Sequence, residues 1–249
     1  MMSEVESQAP QDEVPTGLAH IDMIARFNQC NRVLTQSLLQ AHRDDLDLLG
    51  RALHVLYLAA TCHRKCWGGG HVMEFMAGRV YNLACGAYSL ICIAYYDEAL
   101  NLTRSIGEAA NLVALFHMDE HAFGKWVNAT KRERIRDFGP AKVRTRLKSE
   151  GGVLLMDDDQ YAELCETYTH PTPGAAPNQH NDMQRAICGG IVQGEGLRDS
   201  LNALVGMVAA IALFYAKLFR FDDLFEDLTQ RFAGAEPGHA KATPAPTSQ

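Results

Sequence analysis

The stretch Leu201–Ala216, LNALVGMVAAIALFYA, constrains this chain more than any other, because sixteen consecutive residues with one amide side chain among them must be kept from water. A bilayer span needs about 20 such residues, more than the run supplies. The acidic residues that follow continue a helical pattern. We therefore read one long helix from Gly194 to about Phe232 as the centre of a bundle, and expect no membrane segment.

The rest of the chain supplies the bundle. Residues 18–42 place Ile21, Ile24, Phe27, Leu34, Leu38 and Leu39 at spacings of three and four, which predicts a helix with one apolar face turned to the core. A second helix starts near Asp44, whose carboxylate can cap it, and runs to about Cys66 with Leu46, Leu49, Leu53, Leu56 and Ala60 as its stripe. A third follows from Val72, apolar almost all round by its end, and Asp97 opens a fourth over 97–117 as its antiparallel neighbour. Shorter helices are expected near 120–138, 140–149 and 157–168, and the three prolines of 170–182 make that segment a loop. Strand alternation is nearly absent. The predicted fold is all-α, a single helical bundle of five or six main helices over residues 18–232 between disordered segments 1–17 and 233–249.

Composition limits the class of protein. With 249 residues, 47% of them apolar and 21% charged, the chain can bury a sizeable core and reads as a soluble globular domain. Seven cysteines, an odd number set mostly among apolar or helical neighbours, predict reduced and mostly buried thiols in a cytoplasmic protein. Residues 1–17 are polar and acidic and carry no apolar signal core.

The segment Cys62–His71, CHRKCWGGGH, gathers chemistry-bearing residues in one place. Cys62, Cys66 and His71, with His63, could ligate a metal, but structural zinc sites use two ligand pairs and no second Cys/His pair is visible. Arg64 and His71 match an Arg-x₄₋₆-His nuclease spacing, a match that sixteen arginines and ten histidines supply by chance about twice. Three glycines fit a helix stop followed by a connection. The expectation is a loop that holds no metal and no disulfide, in a protein without a cofactor.

A less expected feature lies on the helix 97–117, where Asn101, Arg104, Glu108 and Asn111 form one polar stripe between two apolar or small-residue rows. The stripe reads as an internal ion pair that pins helix packing, as a functional cleft, or as a solvent face. EALNLTRSIGEAANL, followed by YAELCETYTHP, resembles an uncharacterised family of all-helical, HEPN-like bacterial proteins, in which an Arg-Ser-x-x-Glu helix precedes a Tyr-x-x-Leu helix ending in His or His-Pro. The match rests on Arg104, Ser105, Glu108, Tyr161, Leu164, His170 and Pro171. The resemblance implies RNA handling, or a metal-independent ribonuclease with His170 as acid or base, Arg104 against the phosphorane charge, Glu108 orienting it and Tyr161 stacking or donating. It also implies a homodimer, which the small-residue face of the helix 97–117 would permit.

Lys125–Lys148 holds nine Lys/Arg against two acids, a local charge of +7 in a chain of net charge −7. Ile135, Phe138, Val143 and Leu147 are the expected inward positions, which turns Arg132, Arg136, Arg144 and Arg146 outward as a solvated face, as partners of Asp157–Asp159, or as contacts for RNA phosphates. Two functions follow: an RNA-handling HEPN-like protein, or a non-enzymatic helical module that binds another protein.

Overall fold

A computed structural model describes residues 14–170, 172 and 188–234 of the protein. Among these it is all-α, without strands: α1 (Leu18–Leu38), a 3₁₀ turn (Leu39–His42), α2 (Arg43–Ala60), α3 (Val72–Cys92), α4 (Tyr96–Met118), α5 (Glu120–Asn128), α6 (Lys131–Phe138), α7 (Pro140–Ser149), α8 (Asp158–Tyr168), α9 (Gly194–Phe219) and α10 (Asp222–Gly234). The expected end segments lie outside the described residues except for 14–17 and 233–234, as does the expected loop 170–182 except for His170 and Thr172.

Four long helices form the centre, with α9 lying against α2 and α4, and α3 lying against both of those. The apolar run is where its composition demands: Leu201, Leu204, Val205, Val208, Ile211 and Tyr215 are fully buried. Each such aliphatic side chain contributes about 1.5–3 kcal/mol on leaving water. α9 is the one helix among the described residues long and apolar enough to cross a membrane, and 56% of its most apolar window is buried inside the bundle, as in a core helix. The helices α5, α7 and α8 pack on α4, and α10 folds back onto α9 and α2.

There are more helices than five or six because two long periodic stretches are broken. The pattern over 194–232 is interrupted at Arg220, whose φ of 56° ends α9. The Phe221 N–H donates to Ala216 O at 2.8 Å, closing the last turn, and Asp222 and Asp223 then fall in the first turn of α10, where the helix dipole favours acids. The stretch 120–138, expected as one helix, divides into α5 and α6, with Thr130 and Glu133 forming a reciprocal cap for α6, while Pro140 opens α7 over the expected 140–149.

The corner between α3 and α4 turns through Ala94, in the left-handed region at φ 64°. Gly190 passes so close to this corner that a Cβ there would lie 2.2 Å from Ile93 O. Asn31 on α1 donates through Nδ2 to both Ile93 O (3.2 Å) and Gly190 O (2.9 Å).

Here the expectation for residues 18–42 holds at Leu39, which is buried, and is corrected for the positions before it. The buried residues of α1 are Asn31 and Thr35, while Ile21 is 59%, Phe27 62% and Leu34 56% exposed. α1 rests chiefly on α3, fastened near Asn31, and the core does not extend beneath its apolar row.

Candidate functional site

The polar stripe of α4 is the seat of α8, which runs antiparallel to it. At one end Thr169 Oγ1 donates to Asn101 Oδ1 at 3.1 Å, and in the middle the Tyr161 hydroxyl donates to Glu108 Oε1 at 3.1 Å. At the other end the Leu155 and Met156 N–H groups donate to Asn111 Oδ1 (2.9 and 3.2 Å), and Asn111 Nδ2 donates to Met156 O (2.8 Å). Asn111 is buried, so these three bonds are what make a polar side chain tolerable there. Among the readings left open by the sequence, helix pinning is the one this geometry matches.

Arg104 donates to Glu108 one turn later, and its guanidinium lies 5.7 Å from the centre of the Tyr161 ring. Arg144 lies closer to the same ring, at 3.9 Å, and donates through Nε to Asp158 at 2.5 Å. Burial, then the neighbouring Cys165 and Glu108, push the Tyr161 phenol up. Arg104 Nε is buried with no hydrogen-bond partner. Of the residues carrying the family resemblance, the structure therefore brings Arg104, Glu108 and Tyr161 together. His170 is exposed; its backbone N–H closes α8 on Cys165 O at 2.9 Å, and no described hydrogen bond links its ring to Arg104 or Glu108. Pro171 lies outside the described residues.

The small-residue row of α4 is covered within the same chain. A Cβ on Gly107 would lie 2.2 Å from the Met156 side chain, and Ala110 and Ala114 are buried. The dimer contact expected on 97–117 is filled from within the molecule.

The basic window is also partly used up internally. Arg144, expected to face outward, is buried. Arg146 bonds Asp119 (2.5 Å) and Glu150 (2.8 Å), Arg136 bonds Asp137 at 2.6 and 2.7 Å, and Lys148 shares Asp158 at 2.5 Å. Arg132 is exposed and has no bonded acid among the described residues. Ile135, an expected inward position, is 67% exposed. Of the alternatives for this window, neutralisation by Asp157–Asp159 describes Arg144 and Lys148.

The segment after α2 folds back on itself through a series of left-handed residues: Cys62 (φ 52°), Gly68 (93°), Gly69 (61°), Gly70 (80°) and His71 (60°). Cys62 Sγ and Cys66 Sγ come to 3.4 and 3.5 Å from His71 Nδ1. Glu74, in the first turn of α3 and 1% exposed, places Oε1 3.9 Å from Cys62 Sγ and 3.8 Å from His71 Nδ1, and accepts the Trp67 N–H at 2.5 Å. Ligand atoms of all four residues lie within 4.8 Å of one another. The expectation of no metal rested on the missing second pair, and the structure removes that premise by supplying His71 with Glu74. A Cys/His search passes over Glu74; its signal is a lone acid three residues after His71 in the otherwise apolar VMEFMAG.

The Arg64–His71 nuclease spacing forms no contact pair. Arg64 instead makes a two-pronged bond with Asp223 at 2.8 and 2.9 Å and lies 5.5 Å from the Phe221 ring, while the Trp67 ring lies tilted against Phe219 at 5.6 Å. The seven cysteines are free; Cys92 is buried, Cys62, Cys85 and Cys165 are half-buried, and Cys30, on the outer side of α1, and Cys66 and Cys188, in connections, are exposed, so the thiols are not mostly buried as expected.

No family model matches the sequence, and no curated protein or solved structure matches it significantly.

Proposed function

We propose that this protein is a helical interaction module whose partner is a second copy of itself, paired through α1. One observation carries the reading: of the fifteen large apolar side chains exposed among the described residues, seven lie on this one helix, and five of these, Ile21, Ile24, Phe27, Leu34 and Leu38, share one side of it by their spacing. Exposed apolar residues scattered singly are ordinary, but a row of them on one element is characteristic of an interface. Twenty-one residues make a ridge about 31 Å long. A ridge this long and narrow is best covered by another like it, and α1 of a second copy is one. A two-fold pairing covers the same row on both chains at once, so each apolar side chain contributes twice to an interface that needs about 800 Å² per partner.

Sedimentation velocity over a range of concentrations tests this. The full chain should shift from the 27.5 kDa mass of one copy to twice that value, and Phe27→Glu, which sets a charge against its own counterpart, should remain a single copy throughout. A mass of one copy at every concentration for the unmodified protein would refute the proposal.

The HEPN-like RNA-handling reading has its support in Arg104, Glu108 and Tyr161 sharing one seam, with Arg104 Nε unpartnered. Incubation with total RNA in the presence of EDTA addresses it: cleavage abolished by Arg104→Met and by His170→Ala would favour it over the module.

A further inference from the structure

We propose that Cys62, Cys66, His71 and Glu74 form a structural binding site for a zinc ion. Around a tetrahedral zinc, thiolates at about 2.3 Å and nitrogen or oxygen donors at about 2.0–2.2 Å stand about 3.4–3.8 Å from one another. Four of the six separations in this cluster are 3.4 Å (Cys62 to His71), 3.5 Å (Cys66 to His71), 3.8 Å (His71 to Glu74) and 3.9 Å (Cys62 to Glu74), and all six lie within 4.8 Å. Four donors from a ten-residue loop and the first turn of α3 are thus gathered close to the spacing of one coordination shell, which small side-chain shifts would complete. Two soft thiolates with an imidazole and a carboxylate are a donor set suited to zinc rather than to magnesium or calcium, which take oxygen ligands.

A second, independent observation points to a cation. Glu74 is 1% exposed, and its Oε2 is buried with no hydrogen-bond partner. A carboxylate oxygen that has lost its water and gained no donor is costly, and the lasting remedies are a proton or a positive charge. The other oxygen, Oε1, is the one beside Cys62 and His71, and it also accepts the Trp67 N–H, which fixes the carboxylate's orientation at the cluster. Cys62 and His71 are also two of the four residues other than glycine with positive φ among the described residues, an unfavourable backbone that persists where surrounding interactions over-determine it.

Binding releases the two thiol protons to solvent, and the thiolates, neutral imidazole and carboxylate close the shell without a position for substrate. The ion would tie the end of α2 to the start of α3 and stiffen the loop that sends Arg64 to Asp223 and Trp67 to Phe219, so its consequence is the fixing of the corner between α9 and α10. Cys66 and His71 are exposed, which leaves an entry path.

Cobalt(II), a spectroscopic stand-in for zinc, tests this on the full chain, stripped of metal with its thiols kept reduced. One equivalent should produce thiolate-to-cobalt charge-transfer absorption and the visible bands of a tetrahedral ion, and one equivalent of zinc should erase both. Cys66→Ser, at an exposed position, should keep the helical circular dichroism yet lose at least roughly tenfold in cobalt affinity together with part of the charge-transfer intensity. Glu74→Gln should lower affinity but keep the thiolate band; if this buried substitution unfolds the protein, Cys66→Ser decides. The absence of charge-transfer absorption at one equivalent, or equal cobalt binding by Cys66→Ser and the unmodified chain, would overturn the site.

Discussion

α4 and α1 both break the rule that helices turn apolar residues in and polar residues out, and they break it in opposite directions. On α4 the stripe Asn101, Arg104, Glu108 and Asn111 lies against another helix, and partners from α8 and the segment before it meet it nearly group for group. On α1 the inward positions belong to Asn31 and Thr35, while the apolar row stands in solvent with no helix of the same chain across it among the described residues. A polar stripe on an apolar helix needs donors and acceptors that the same chain can place with angstrom accuracy. An apolar row needs only surface, and a second molecule supplies that as well as the first. The contrast teaches that a pattern which contradicts its environment marks a face that something must answer, without saying whether the answer lies in the same chain.

The sharpest way to break this comparison is Asn111→Leu. The leucine fills the space but abandons the Leu155 and Met156 N–H groups and the Met156 carbonyl, and a buried backbone group left without a partner costs about 1–3 kcal/mol. Because residues 155–156 can shift to recover part of this, we expect a loss of about 3–5 kcal/mol and a Tm lower by roughly 10 °C or more. Thermal denaturation followed by circular dichroism reads it. A loss below about 1 kcal/mol would mean that the stripe is not the seat of α8 and would reopen it as a functional cleft.

How much of this was legible in the sequence depends on how each feature is encoded. The all-α class and the central burial of Leu201–Ala216 follow from periodicity and hydropathy, which are local and redundant over many residues. The α4 stripe was legible as a row because three-and-four spacing fixes which residues share a face, but its partners from α8 and the segment before it are 44 to 68 positions away and no spacing rule reaches them. The break at Arg220 was illegible because an arginine, not a glycine, adopts the left-handed turn, while the apolar pattern runs on through Phe221 and Leu228. Glu74 was missed as a candidate ligand for a similar reason: it belongs to the loop cluster only once the glycine triplet has folded the chain back. The basic window misled because charge counting treats Arg144 like its neighbours, and only the fold shows it enclosed between Asp158 and the Tyr161 ring.

Acid should loosen the α8 seat while leaving the apolar contact of α1 comparatively untouched. Lys148 and then Arg144 hold the Asp158 carboxyl below the usual carboxylate range. Its folded pKa is therefore lower than its unfolded one of about 3.9, so the stabilisation is present above that value and is lost as pH falls through and below it. Asp158 is half exposed, which makes the contribution modest. Denaturant unfolding at pH 7 and near pH 3 should show the unmodified protein losing more stability on acidification than Asp158→Asn does. Equal losses would show that the Arg144–Asp158–Lys148 group does not hold α8.

The smallest effect on the fold is expected on α1, and its smallness is the informative part. Leu34 is 56% exposed, so in a dilute single copy Leu34→Ser removes little buried area and should change the unfolding free energy by no more than about 0.5 kcal/mol. At higher concentration the unmodified protein gains stability by mass action, because pairing binds the folded chain and not the unfolded one, and its Tm should rise with concentration. The variant should lose that rise while keeping the dilute Tm. Calorimetric scans of both proteins over about a hundredfold range of concentration separate the two contributions, since a hundredfold excess over a dissociation constant corresponds to about 2.7 kcal/mol. If Leu34→Ser instead lowers the dilute Tm by several degrees, the row is covered by its own chain. The contrast between α1 and α4 would then become one between two faces answered from within, one by hydrogen bonds and one by apolar area.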